Sequence, residues 1–291
     1  MKSTNCFKRN MLAFAAGLGL LALTPALAAD PLAPPPATYV FGALSQRSAL
    51  LTAQFWNPIL EHVSRHSGVN LVLKATRSAP ESTDATEKGE YDFVYSNNIF
   101  QPKMARADYQ VILRPRDEAI AGQIVTLADS PIQTLSEMNG KEMGFPSLAA
   151  FIAYAVPMDY LRRQGIGVTP VFGANQEGIM TQLKAGKVLA AAVNSQIMRG
   201  FASRENLDYR VLWESERFLN IPIAAHPRVP KTVVAKVRDA FDKMDGSAEG
   251  LKTLEASGQI IGQKPPYGFR AATPADYRSY RDFYRNAVDN K

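Results

Sequence analysis

The sequence has 291 residues, 46% of them hydrophobic and 21% charged, with one cysteine. A chain this long buries roughly three quarters of its unfolded surface and needs no disulfide framework, and one Cys excludes an internal disulfide. Lys and Arg outnumber Asp and Glu by 33 to 27, but Lys2, Lys8 and Arg9 stand in the first nine positions. The excess that remains is too small and too scattered for a nucleic-acid surface.

Those three basic residues precede the apolar run Met11 to Leu23, which leads through Thr24-Pro25 to Ala26-Leu27-Ala28. A charged start, a short apolar stretch and a small-x-small site predict a secretory signal peptide over 1–28, cleaved after Ala28, and hence a periplasmic protein. The run of 13 residues is too short to span a bilayer, which takes about 20, and no second such run follows. Cys6 lies in the charged leader rather than after the apolar run, so no lipid-bearing cysteine is expected. Residues 29–37, with prolines from Pro31 to Pro36, read as a flexible linker.

Folded structure is expected from Thr38. Tyr39 to Ala43 reads as a buried strand, Leu44 to Ser48 as a polar loop, and Leu50 to His66 as a helix with apolar residues at Phe55, Ile59, Leu60 and Val63. Gly68 stops that helix, and Val69 to Thr76 follows as a strand, the βαβ start of an α/β lobe. Glu81 to Lys88 is helix-like and stops at Gly89; Tyr91 to Tyr95 is a strand that leaves into Ser96-Asn97-Asn98.

Gln123 to Leu127 reads as a strand, Leu135 to Asn139 as a short helix, and Glu142 to Phe145 as a strand entering Pro146-Ser147. A long helix is expected over Ala149 to Gln164, with Ser147 either capping it or meeting a ligand there. Ile179 to Ala185, Gly186 and Val188 to Val193 then repeat the earlier order of helix, glycine and strand, with a polar exit at Asn194-Ser195-Gln196. Ligands of open α/β sheets bind beyond the carboxyl ends of strands, so both polar exits are expected to face a shared cleft. The tail from Tyr277 to Arg285, arginine alternating with aromatic residues, is read as an amphipathic helix packed on a lobe.

Four segments carry a family resemblance: Phe41-Gly42-Ala43-Leu44-Ser45-Gln46, the Trp56-x-Pro58-Ile59-Leu60 helix, Gly89-Glu90-Tyr91-Asp92-Phe93-Val94-Tyr95, and Ser130 to Gly144 with its Gly140-Lys141. In this order they resemble the periplasmic phosphate, phosphite and phosphonate binding proteins of ABC importers, over nearly all the chain past the leader. The resemblance implies a two-lobed type II periplasmic binding-protein fold of class α/β, each lobe a mixed sheet flanked by helices, closing like a hinge over a ligand cleft. Lobe 1 is placed at 38–122 plus 223–291 and lobe 2 at 123–222, with crossings near Ala121 to Gln123 and Leu219 to Ala224.

The departures bear on the ligand. Where the family has a Ser-Thr-Ser-Gly-type turn this chain has Ser147-Leu148-Ala149-Ala150, where it has a histidine this chain offers Gly173-Ala174-Asn175-Gln176, and Asn220-Ile221-Pro222 lacks the family's acidic residue. Expected ligand contacts are therefore Ser45, Gln46, Arg47, Tyr95, Ser96, Asn97, Ser147, Asn175 and Asn194, mostly neutral hydrogen-bonding groups. Arg47 is either a bidentate partner for an acid group or solvent-exposed, Tyr95 either packs or reaches the ligand, and Ser96 and Asn97 equally suit a turn.

No enzyme is expected, and no cofactor or metal. His62 and His66 have metal-ligand spacing beside Glu61, but in the order Glu-His-x-x-x-His, which reads as an exposed helix face; nucleophile-elbow and nucleotide-loop patterns are missing. The resemblance implies a monomer that delivers a small oxygen-rich solute, phosphonate-like or another oxyanion or polar molecule, to an ABC permease in the inner membrane. The alternative partner is the ectodomain of a sensor kinase.

Overall fold

The computed structural model describes residues 37–288, which lie within one compact unit. The leader and cleavage site expected over 1–28, and nearly all of the 29–37 linker, fall outside the described residues. Strand β1 (Thr38–Ala43) feeds helix α1 (Ala49–Ser67), followed by β2 (Asn70–Lys74), α2 (Ala79–Glu87), β3 (Phe93–Tyr95) and β4 (Gln110–Pro115). Local chemistry fixes the α1 ends: the Ser48 hydroxyl accepts from the Leu51 amide at 3.3 Å, and Gly68 closes the helix in the left-handed conformation at φ 66°. Gly42 in β1 is required by packing, because a Cβ there would lie 2.4 Å from the buried Tyr91 ring.

Residues 116–119 then cross into a second sheet. There β5 (Ile120–Leu127) is followed by β6 (Lys141–Phe145), α3 (Val156–Arg163), β7 (Val168–Phe172), α4 (Gln176–Lys184), β8 (Ala191–Asn194), α5 (Ser195–Glu205) and β9 (Tyr209–Phe218). Residues 219–222 cross back to β10 (Ile223–Ala225), α6 (Lys231–Asp242), α7 (Ala248–Ile260), β11 (Phe269–Ala271) and α8 (Arg278–Asn286).

The result is two mixed sheets, ordered β11-β4-β10-β3-β1-β2 and β7-β6-β8-β5-β9. In the first, β1 pairs parallel with β2 and β3 while β10 and β11 run antiparallel to their neighbours; in the second, β6 pairs parallel with β7 and β8, and β5 runs antiparallel between β8 and β9. Each lobe has its own core. Phe41, Trp56, Phe93 and Phe241 anchor the first, and Met143, Phe145, Ile179 and Leu183 the second. Each such side chain contributes about 1.5–3 kcal/mol on burial.

The long helix expected over Ala149 to Gln164 is two pieces. Phe151–Ala155 form a π-helical turn, with the Ala155 amide donating to the Ala150 carbonyl at 3.0 Å, and the α-helix begins only at Val156. Pro157 has no N–H to give to Ala153, so a continuous α register from Ala149 would lack that bond. As a consequence Ser147 caps no helix: Ala150 precedes the π turn with no side-chain cap, and the Ser147 hydroxyl is buried without a partner. The amphipathic C-terminal helix is present as α8, and Tyr280 on it is fully buried.

Candidate functional site

The lobes are shut against each other. The Glu177 amide at the start of α4 donates to the Gln46 carbonyl at 3.2 Å, and the Ser48 amide donates back to the Glu177 carboxylate at 3.3 Å. Arg204 pairs with that same carboxylate and reaches the Ile261 carbonyl of the first lobe. Elsewhere the Ala79 amide donates to the Ala174 carbonyl at 2.9 Å, and a Cβ on Gly200 of α5 would come within 2.7 Å of the Ile261 carbonyl oxygen.

Two of the cavities along this seam are lined by residues expected from the sequence. The smaller, about 20 Å³, lies between the polar exit of β3 and the turn after β6, and its walls include Ser45, Gln46, Asn97, Gln176 and Asn194. The larger, about 50 Å³, lies on the other side of the Leu44–Gln46 loop. Its walls are Arg47 and Tyr95 of the first lobe, Asp117 of the first crossing segment, Gln196 of α5, Gln263, and a set of aromatic rings that includes Phe55, Trp56, Tyr267 and Phe269.

The nine residues expected from the sequence divide by what the fold asks of them. Gln46, Arg47 and Tyr95 line the larger cavity, and Ser45, Gln46, Asn97 and Asn194 the smaller. Arg47 is half-buried with its Nε unpartnered. Burial pulls its guanidinium below the usual pKa, while Tyr95 and Glu177 push the other way. The Tyr95 ring packs, its centroid 4.9 Å from that of Trp56, and burial raises its hydroxyl far above the usual range. Ser96 is used by the turn, its hydroxyl accepting from the Asn98 amide at 3.1 Å. Asn97 keeps a buried, unpartnered Oδ1.

Ser147 and Asn175 line neither cavity. Asn175 caps α4, accepting from the Gly178 amide at 2.8 Å. Asn194 caps α5, its Oδ1 accepting from the amides of Gln196 and Ile197 at 2.9 and 3.3 Å. Asn194→Ala should therefore cost about 1–2 kcal/mol in urea unfolding whether or not solute is present; a loss of solute affinity at unchanged stability would show instead that the side chain serves the ligand.

Asp117 was missed in the sequence, where Arg114-Pro115-Arg116-Asp117-Glu118 looks like a solvated charge run. Its Oδ2 accepts from Gln196 Nε2 at 2.6 Å, Asn220 Nδ2 at 2.8 Å and, more weakly, Gln263 Nε2 at 3.4 Å. One carboxylate oxygen thus gathers both crossing segments and both lobes. Its other oxygen, Oδ1, is buried with no partner. Burial pushes the carboxyl up to about 6, against the pull of the Gln196 and Asn220 hydrogen bonds.

The expected exposed face at His62 and His66 is half wrong. His62 is 2% exposed and stacks on His66 with ring centroids 3.9 Å apart, because α7 packs over α1 there. Glu249 of α7 stands beside both rings, and its carboxylate is taken by Arg65 at 2.7 Å.

The profile of a family described as ABC transporter, phosphonate, periplasmic substrate-binding protein matches residues 41–277. The chain belongs to this family. As a member it is a solute-binding component of ABC transport, and the family places it in the periplasm. Among solved structures, the binding-protein component of an ABC phosphonate transporter from Pseudomonas aeruginosa is similar at 18% identity and TM-score 0.73, over 85% of each chain. PhnD1 from Prochlorococcus marinus, in complex with methylphosphonate, is similar at 11% identity and TM-score 0.71, over 87% of this chain and 99% of its own. A Salmonella typhimurium periplasmic binding protein with high arginine specificity aligns at 16% identity and TM-score 0.56, over 75% of this chain and 97% of its own. These likenesses establish the type II periplasmic binding-protein fold. A comparison with curated proteins finds no match. Among the described residues no helix is long and apolar enough to cross a membrane.

Proposed function

We propose that the chain, released by cleavage after Ala28, captures a small oxygen-rich solute by closing its two lobes on it, without chemistry, and hands it to an inner-membrane permease. The observation that carries this reading is the larger cavity, which opens where both lobes and a crossing segment meet and holds buried polar atoms with no partner. Native proteins rarely leave such atoms unsatisfied, because each costs about 1–3 kcal/mol, so a polar occupant accounts for them. A solute touching Arg47, Asp117 and Gln196 together binds the closed form better than the open one, which is the condition for it to drive closure.

Arg47 supplies the recognition of an acid group, since a guanidinium relieved of bulk water bonds phosphonate, sulfonate or carboxylate oxygens strongly. The smaller cavity is too tight for such a solute: one water takes about 10–15 Å³ of such space. The binding site in this reading therefore sits beside the serine turn rather than on it.

Thermal unfolding against phosphate, methylphosphonate, sulfonates, carboxylates and amino acids tests the reading. A solute at about a hundred times its Kd adds roughly 2.7 kcal/mol, a rise in Tm of roughly 5–10 °C for a chain of this size. No rise with any acid-bearing solute would reject it. With a solute in hand, Arg47→Gln should weaken binding about tenfold to a hundredfold, and by more than Ser147→Ala does; the reverse order would move the solute to the serine turn.

A further inference from the structure

Two of the chain's three histidines, His62 and His66, stand one turn apart on α1; the third, His226, lies elsewhere against Tyr109. Residues four apart share a helix face, and α7 packs on this one, bringing Glu249 of its first turn beside both rings. The Ser247 hydroxyl fixes where α7 begins, accepting from the Gly250 amide at 3.0 Å, and so places Glu249. His62 Nδ1 then stands 3.8 Å from Glu249 Oε1, and His66 Nε2 4.0 Å from Oε2. Both separations are too long for hydrogen bonds. His62 Nδ1 is left buried without a hydrogen-bond partner, in a side chain only 2% exposed.

A plain ion pair does not account for this arrangement. The Glu249 carboxylate is already served by Arg65, whose Nη2 donates to Oε1 at 2.7 Å. Burial, together with the adjacent His66, pulls His62 below its usual pKa, toward the neutral form that ligates metals. The His66 ring is also set for ligation. Its Nδ1 lies 2.8 Å from the His62 carbonyl, which can only accept, so Nδ1 carries a proton and the neutral ring presents a lone pair on Nε2. A backbone carbonyl holding the non-ligating ring nitrogen is the usual outer support of a metal-bound histidine.

We propose that His62 Nδ1, His66 Nε2 and the Glu249 carboxylate form a binding site for a divalent transition ion of the zinc class, which clamps α1 to α7 outside the solute cleft. One ligand atom from each of the three lies within 4.8 Å of the other two. Tetrahedral zinc, with bonds of about 2.0–2.2 Å, needs its ligand atoms about 3.3 Å apart, so a movement of roughly 1–1.5 Å closes the site. His66 and Glu249, with side chains 46% and 53% exposed, have room for that movement, while packing fixes His62. Two imidazoles and a carboxylate suit zinc, nickel or copper, whereas calcium and magnesium seek oxygen ligands. Arg65 can keep Oε1 while Oε2 turns to the ion, although its charge opposes the ion and lowers the affinity. The solute cavity is apart from this site: Leu51, Thr52, Phe55 and Trp56 line it from the other end of α1, and His62 is roughly 10 Å further along the helix than Phe55. The metal site therefore stands or falls independently of solute capture.

Calorimetric titration of the tag-free, EDTA-stripped and dialysed protein with Zn²⁺ tests the proposal. One ion per chain should bind with a Kd tighter than about 100 μM. At about a hundred times that Kd it should raise Tm by roughly 5–10 °C, whereas Mg²⁺ and Ca²⁺ should not. His66→Gln and Glu249→Gln should each weaken Zn²⁺ binding at least about tenfold. Both replace half-exposed side chains, and cooperative thermal unfolding without metal checks that the variants are folded. His226→Gln should bind Zn²⁺ as the parent does. No binding at 100 μM, or equal stabilisation by Mg²⁺ and Ca²⁺, would overturn the site. So would an affinity unchanged in either His66→Gln or Glu249→Gln, or one lost in His226→Gln.

Discussion

Asp117→Asn should make the ligand-free protein more stable at pH 7.5, by up to about 3 kcal/mol, and should flatten part of its dependence on pH. The carboxyl lies near 3.8 in an unfolded chain and is pushed up to about 6 in the fold, chiefly by burial. Between those values the folded protein binds a proton that the unfolded chain does not, so stability falls as pH rises from about 4 to 6 and the loss is complete above 6. A difference of roughly two units corresponds to about 3 kcal/mol. The groups facing this carboxyl are Gln196, Asn220 and Gln263 as donors and the hydroxyls of Tyr95 and Tyr277. None of them titrates between pH 4 and 6, so the difference between the parent and Asp117→Asn stability curves reports Asp117 alone. Urea unfolding at pH 4.5, 6 and 7.5 measures it. Equal stabilities at all three would mean that the carboxylate is better solvated than its surroundings indicate.

Such a residue is costly to keep in the absence of ligand, and it could not be read from the sequence. In Arg114-Pro115-Arg116-Asp117-Glu118 every neighbour is charged or a turn-former, and nothing local distinguishes Asp117 from exposed Glu118, which pairs with Arg199 and Arg217 at the surface. The difference is made by Gln196 and Asn220, which are 79 and 103 residues away in the chain. The strands and helices around it were legible because their signals are local: β1 and α1 from apolar spacing between polar loop residues, and α1's end from Gly68. Asn175 and Asn194 were visible as polar residues at the right ends of the right elements, yet a cap and a ligand contact look alike until the amide partners are known. The break at Phe151–Ala155 had a local signal too, Pro157, but one proline near a helix start is compatible with an uninterrupted helix and did not by itself mark a π turn.

Phe151, in that π turn, carries the second large effect: Phe151→Ala should lower the free energy of unfolding by about 3–5 kcal/mol and loosen the second crossing segment in particular. The ring is 1% exposed and packs on Phe218 at 5.0 Å, Tyr280 at 4.3 Å and Phe283 at 5.1 Å between centroids. It is thus the seat on which α8 rests against the second lobe. From α8 the Tyr280 hydroxyl donates to the Leu219 carbonyl at 2.6 Å, and just before the helix Tyr277 donates to the Asn220 carbonyl at 2.7 Å. Those two bonds hold 219–222 in place, and with it the side chain of Asn220 on Asp117. Emptying the seat removes ring contacts from α8 and lets both tyrosines move. Amide exchange should accelerate first in α8 and at Ile221, whose N–H is held by Asn220 Oδ1 at 2.8 Å, before it accelerates in the sheet of the first lobe. A destabilisation below about 1 kcal/mol, or exchange that quickens uniformly over both lobes, would show that α8 is not the clasp of the hinge. If the clasp is confirmed, the same variant should bind solute more weakly than its lost stability alone requires, because closure depends on a crossing segment that no longer holds Asn220 against Asp117.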